Sequence, residues 1–224
     1  MNWFKNIYFI ILLLIFSVDI VAQQKDFQLW TSLEIEKKLS KHIRFNYAEE
    51  VRWSENVSFL NQHFSEIGLG YKLNKHISFS VNYRFSQKQN LDFNYEMRHR
   101  WFVDLSLKQS LRKWDFSFKS VYQSQYSQYF SSEDGKIPAN YSRNKLLIKY
   151  EINRRWKPFL SSEIFIPLNS PDFYGPDEAR FAIGTDYNFG KRLSLTSFYG
   201  IQQEFNVKNP ESNFVLGLGL KYDW

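Results

Sequence analysis

The sequence predicts an all-β fold: a transmembrane antiparallel β-barrel of about ten to twelve strands, with short periplasmic turns and longer extracellular loops. Three observations predict it. In the last run, Phe214, Leu216, Leu218, Leu220, Tyr222 and Trp224 alternate with Val215, Gly217, Gly219, Lys221 and Asp223. Successive side chains of a strand face opposite ways, so this run has one apolar and one polar face, as a wall between lipid and an aqueous lumen requires. Second, tight connections (37–41, 74–75, 109–113, 153–155, 190–191) alternate with longer ones (54–62, 87–93, 127–142, 167–177, 206–212) along the whole chain. Third, aromatic residues gather at two levels. Trp53, Tyr83, Tyr95, Tyr122 and Tyr199 fall toward the long-loop ends, and Tyr71, Trp114, Tyr150, Tyr187, Tyr222 and Trp224 toward the tight-turn ends. Such belts mark the two headgroup levels of a bilayer.

Composition narrows the classes further. Mean hydropathy is negative, which excludes a bundle of membrane helices, since each helix needs an apolar run of about 20 residues. A barrel survives that test because its strands interleave apolar with polar residues. With no Cys, the chain has no disulfide, thiol nucleophile or thiolate metal site. The net charge is +6, but the Lys and Arg residues are scattered among 23 acids. They form no basic stripe, so nucleic acid is not an expected partner. His42, His63, His76 and His99 lie on separate segments without ligand spacing, so no metal or other cofactor is expected.

Taken in order, residues 1–22 place Lys5 before the apolar run Ile7–Phe16 and end at Ala22. This is the pattern of a secretory signal peptide, cleaved before Gln23. Residues 23–224 form a single barrel domain. Eleven alternating segments follow. The first carries Phe27, Leu29, Thr31, Leu33 and Ile35 on one face; the fourth carries Ile77, Phe79, Val81, Tyr83 and Phe85 against Ser78, Ser80, Asn82 and Arg84. The fifth shows Tyr95, Met97, Trp101, Val103, Leu105 and Leu107. Single-chain bacterial barrels have even strand counts. The preferred arrangement is therefore a ten-stranded wall from His42 to Trp224, with 27–36 as an extra or inward-folded strand.

The opposite faces carry charge: Arg44, Arg52, Arg84, Glu96, Arg98, Arg100, Asp104, Lys119, Lys149, Glu151, Glu163 and Arg180. Facing lipid would cost about 2–4 kcal/mol for each Arg or Lys near the midplane, so these residues are expected to line the lumen. Their near balance of sign predicts cross-strand ion pairs in a narrow lumen. In Glu96-Met97-Arg98-His99-Arg100, the two guanidinium groups and Glu96 share the inward face. They could clamp a small anionic solute, since a guanidinium binds carboxylate or phosphate bidentately. The alternative, and the favoured one, is that they neutralise Glu96 and neighbouring carboxylates, with His99 a solitary polar residue on the lipid side. Catalysis has one weak candidate. His63 and Ser65 share an outward face with Glu55 across the hairpin, and a base beside a hydroxyl could act on lipid, as in a lipid A deacylase or a phospholipase.

Three stretches carry a resemblance: Gln28 to Leu39 (QLWTSLEIEKKL), Gly68 to Leu73 (GLGYKL) and Tyr95 to Arg100 (YEMRHR). Together they resemble the bacterial family known as domain of unknown function 2490, over almost the whole mature chain. That resemblance implies an outer-membrane barrel and transfers no catalytic residue. The terminal Leu220-Lys221-Tyr222-Asp223-Trp224 is also similar to the signal read by the barrel-assembly machinery, which with outer-membrane lipid completes the expected partners. The reading is a non-enzymatic barrel acting as a narrow channel or as a structural, surface component. A barrel enzyme acting on lipid and a soluble periplasmic ligand-binding barrel are the alternatives.

Overall fold

The computed structural model describes residues 24–89, 94–127, 138–170, 175–207 and 209–224. The expected signal peptide lies outside these residues. The described chain forms eleven strands: β1 (Gln24–Lys38), β2 (Ile43–Ser54), β3 (Phe59–Lys72), β4 (Ile77–Gln89), β5 (Tyr95–Leu111), β6 (Trp114–Ser127), β7 (Ala139–Tyr150), β8 (Trp156–Pro167), β9 (Glu178–Asn188), β10 (Leu193–Glu204) and β11 (Glu211–Asp223). Each pairs with its sequence neighbour in antiparallel fashion, and β1 closes the ring against β11.

The closing pair corrects the expected ten-stranded wall. β1 stands in the wall and runs parallel to β11, with Phe27 opposite Phe214 and Ile35 opposite Tyr222. An odd count forces this, because alternating directions around eleven strands bring the first and last together pointing the same way. Parallel ladders are slightly weaker per residue, and side chains brace this one. Lys221 Nζ lies 2.8 Å from Glu36 and 3.1 Å from Glu34, and Arg44 of β2 lies 3.1 Å from the other oxygen of Glu36. Lys37 Nζ sits 3.6 Å over the ring of Trp224, whose backbone N–H donates to Glu36 O at 2.7 Å. Three adjacent strands are thus joined through one carboxylate.

The exterior is apolar and the interior polar. Phe79, Val81 and Leu218 point outward with large exposure, and Ile183 is 61% exposed. Inside, Asp104 and Glu163 are buried at 7% and 8% exposure. A water-soluble core has the opposite arrangement. A predominantly apolar exterior on a closed wall is the surface a bilayer solvates.

Aromatics also pack the lumen, where Phe198 occupies the groove left by two glycines. A Cβ on Gly217 would sit 2.0 Å from the Phe198 ring, and one on Gly184 would sit 2.4 Å from the Ser197 carbonyl oxygen. At the tight-turn rim, Tyr71, Trp114, Tyr150, Trp156 and Tyr187 form a compact outward belt, with ring pairs such as Trp114–Tyr150 at 4.8 Å and Trp156–Tyr187 at 4.7 Å; Tyr222 and Trp224 end β11 at the same rim. Toward the other rim the aromatics spread out: Trp53 and Tyr95 lie at strand ends, Tyr83 and Tyr199 near mid-strand.

Candidate functional site

The alternation that sends apolar residues outward places the predicted lumen residues together inside the wall. Most pair as expected. Arg84 donates through Nε and Nη2 to Glu66 Oε2 at 2.8 and 2.6 Å and lies 3.7 Å over the Phe64 ring. Arg52 meets Glu50 at 2.6 Å and stacks on Trp30 at 3.7 Å. Arg180 meets Glu178 at 2.7 Å, and Arg98 meets Glu96 at 3.1 Å. Lys119 lies 3.2 Å from Asp104, which also accepts from Asn82 at 3.1 Å. Lys149 binds Asp186. Glu151 sits at the tight-turn rim, 3.5 Å from Lys157.

Arg100 departs from the expectation of a carboxylate partner. Its Nε donates to Gln125 Oε1 at 2.9 Å and its Nη2 to the same oxygen. An amide dipole leaves the guanidinium charge uncompensated. The charges that act on it most strongly belong to Arg84, Arg143, Arg52 and Arg180. These groups line a cavity of about 690 Å³ inside the barrel, which reaches from Tyr141 and Asp177 at the long-loop rim to Lys149 and Asp186 toward the tight-turn rim. Lys88 and Lys145 also reach it, with no ion pair among the described residues. Arg98 Nε is buried and finds no hydrogen-bond partner among the described residues. At the mouth, Tyr141 donates to Asp177 at 3.1 Å. Burial raises the Asp177 carboxyl above its ordinary value, adjacent Glu178 adds to the rise, and the Tyr141 hydrogen bond opposes it. The chamber is therefore polar, and its lining carries more cationic than anionic side chains.

Arg143 is a lumen residue missing from the expected set. It donates to Glu163 at 3.1 and 2.8 Å and to Gln123 at 3.2 Å. Its signal was available, because it sits two residues before Lys145 in the same alternation.

The outer wall holds two corrections. His99 is not solitary: its Nδ1 lies 2.6 Å from the Tyr83 hydroxyl. Glu55 is no partner of His63 and Ser65. It sits in the β2–β3 turn at φ 52°, where its carbonyl accepts from the Ser58 hydroxyl. The carboxylate that joins them is Glu49, directly opposite Ser65 in the ladder. His63 Nε2 lies 2.8 Å from Glu49 Oε2, Ser65 Oγ donates to Oε1 at 2.6 Å, and the Tyr47 hydroxyl donates to the same oxygen. Among the described residues, no group of His, Asp or Glu could hold a metal ion.

The fold and its charged lumen define a β-barrel of the outer-membrane type. The chain belongs to the family described as protein of unknown function DUF2490, whose family model matches residues 27–213. No curated protein matches it. Among solved structures, it is similar to the NanC porin, at TM-score 0.53 and 13% identity over 84% of this chain and 93% of that one. A bacterial polysaccharide outer membrane secretin is similar at TM-score 0.52 and 12% identity, over 79% of this chain and 63% of the other. The β domain of the Bordetella autotransporter BrkA aligns at TM-score 0.49 and 10% identity, over 79% of this chain and 82% of that one. At these identities the likeness concerns the fold.

Proposed function

We propose that this chain is an integral outer-membrane barrel whose lumen is a narrow passage for small anions. One observation carries the reading: Arg100 holds a positive charge against a roomy chamber, answered among the described residues only by the Gln125 amide. A lumen built solely for stability would pair that charge, since an uncompensated buried cation is destabilising. Among other guanidinium groups, Arg100 instead supplies the field that attracts a carboxylate or phosphate and holds it loosely enough to leave. Lys119–Asp104 and the Lys221–Glu36–Arg44 group carry further paired charges on the lumen face outside the lining of the chamber.

The test is a planar bilayer containing the purified protein. Steady unit conductance with anion preference is expected, and Arg100→Ala should reduce that preference severalfold. Silence, or cation preference in the unaltered protein, sinks the passage. The outward faces count against a soluble ligand-binding barrel, because Leu69, Val81, Val103 and Leu160 would all meet water. If the protein freed of detergent stays monomeric and dispersed, the membrane reading goes with the passage.

A further inference from the structure

A wall solvated by hydrocarbon has no use for a carboxylate, yet Glu49 faces outward. It is the one acid on the outward face of the strands among the described residues. It is bounded by Leu33 and Ser65 across the two ladders, with Phe85 beyond Ser65. An ionised group there is retained at a cost in stability. Three donors converge on this carboxylate, and one of them is a primary hydroxyl at 2.6 Å. Gln87 stands opposite His63 on the next strand, and its side-chain amide makes no hydrogen bond among the described residues. The β2–β3 hairpin also carries the register shift between Arg52 and Trp53. Its turn holds Glu55, Asn56 and Val57 in succession at φ 52°, 57° and 69°. Left-handed backbone at a β-branched residue is strained, and bulges and strain collect beside functional sites.

We propose that Glu49, Ser65 and Gln87 form an acyl-ester hydrolase site on the lipid-facing wall, with His63 positioning Glu49. It is separate from the lumen, and shares with the proposed passage only the placement of the wall in lipid. The Ser65 hydroxyl oxygen attacks the carbonyl carbon of a lipid acyl ester, and its proton passes to the Glu49 carboxylate. The Gln87 amide donates to the oxygen that becomes negative. The bond from carbon to the lipid alcohol breaks, and the departing oxygen takes the proton from Glu49. Water then attacks the acyl-serine ester, giving a proton to Glu49. The fatty acid leaves, and that proton returns to Ser65.

The purified full chain in mixed micelles is treated with a long-chain fluorophosphonate, and with a diacyl glycerophospholipid or an acylated saccharide lipid in separate arms. Expected are one covalent adduct at Ser65 and fatty acid release in one arm, which identifies the substrate source. Ser65→Ala should abolish both, and Glu49→Gln should slow adduct formation on the order of a hundredfold or more. His63→Ala should shift the pH profile of labelling while the heat-modifiable migration of the folded barrel stays unchanged. No adduct with the folded protein, an adduct that survives Ser65→Ala, or release in neither arm overturns the proposal. Normal conductance beside any of these outcomes would sink this site alone.

Discussion

Arg84 and Arg100 are opposite each other in the β4–β5 ladder, yet their partners give them different roles. Arg84 is paired in two hydrogen bonds with Glu66, both groups about four-fifths shielded from solvent. Arg84→Ala should therefore destabilise the barrel by about 3 kcal/mol, because it strands a shielded carboxylate. The measurement is the urea midpoint of unfolding from detergent micelles. Arg100→Gln should leave that midpoint almost unchanged or raise it, since no carboxylate is orphaned and a repelling charge is removed from beside Arg84, Arg143 and Arg180. Equal losses in the two variants would show that Arg100 is a structural pair member whose partner is not Gln125. At this scale the sequence was partly legible. Alternation assigns a face to each charge, but it names no neighbour across the ladder, so it could not tell the Gln125 contact from a carboxylate. Glu49 was missed for the opposite reason: it interrupts the apolar set Tyr47, Val51 and Trp53, and Glu55 offered itself nearer the turn.

The strands differ in what they tolerate, and β9, β10 and β11 show why. Phe198 of β10 fills a groove between Gly184 of β9 and Gly217 of β11, its ladder partners on either side. A methyl group at Gly217 meets the Phe198 ring, a side chain that can turn aside; a methyl at Gly184 meets the Ser197 carbonyl oxygen, which the ladder holds. Overpacking costs about 1–3 kcal/mol, so Gly184→Ala should lie near the upper end of that range and Gly217→Ala near the lower. Urea midpoints rank the two, and the reverse order would mean that the ring is the more rigid neighbour. The tight turns have a shared chemistry of their own. Lys41, Lys75, Arg112, Lys113, Arg154, Arg155, Lys191 and Arg192 place at least one cation in every tight connection. That asymmetry between rims was legible from the sequence, as were all eleven strands, because apolar alternation and turn spacing are local signals. The bulge between Arg52 and Trp53 was not, since it is fixed by the partner strand.

For the whole molecule, the decisive feature is the seam. Period-two patterning shows that a strand has a lipid face and a lumen face, but leaves open which strands meet when the wall closes, so the parity rule for bacterial barrels pointed toward ten strands. The ring instead includes β1 through Glu36, which takes Lys221 from one side and Arg44 from the other, and through Trp224, which is held by Lys37 and by the backbone of Glu36. Parallel closure also fixes the direction of β1: its first residues lie beside Glu211 at the long-loop rim, and its last beside Asp223 at the tight-turn rim. Because the chain contains no Cys, a pair of introduced thiols reports on the seam without background. Thr31 is the ladder partner of Leu218, and neighbouring strands bring Cα atoms within the roughly 4.4–6.8 Å that a disulfide spans. The double variant Thr31→Cys/Leu218→Cys should cross-link on mild oxidation in the folded state. Thr31→Cys/Phe214→Cys should not, since Phe214 belongs opposite Phe27, four residues along the strand and about 13 Å away. Resistance of the first pair to oxidation, in a barrel that still shows heat-modifiable migration, would remove β1 from the wall and return the molecule to ten strands. The ion cluster then makes a second demand on the same seam. Lys221→Ala should speed dissociation of β1, seen as faster trapping of Thr31→Cys by a thiol reagent, whereas Lys119→Ala, on the far side of the lumen, should leave that rate unchanged.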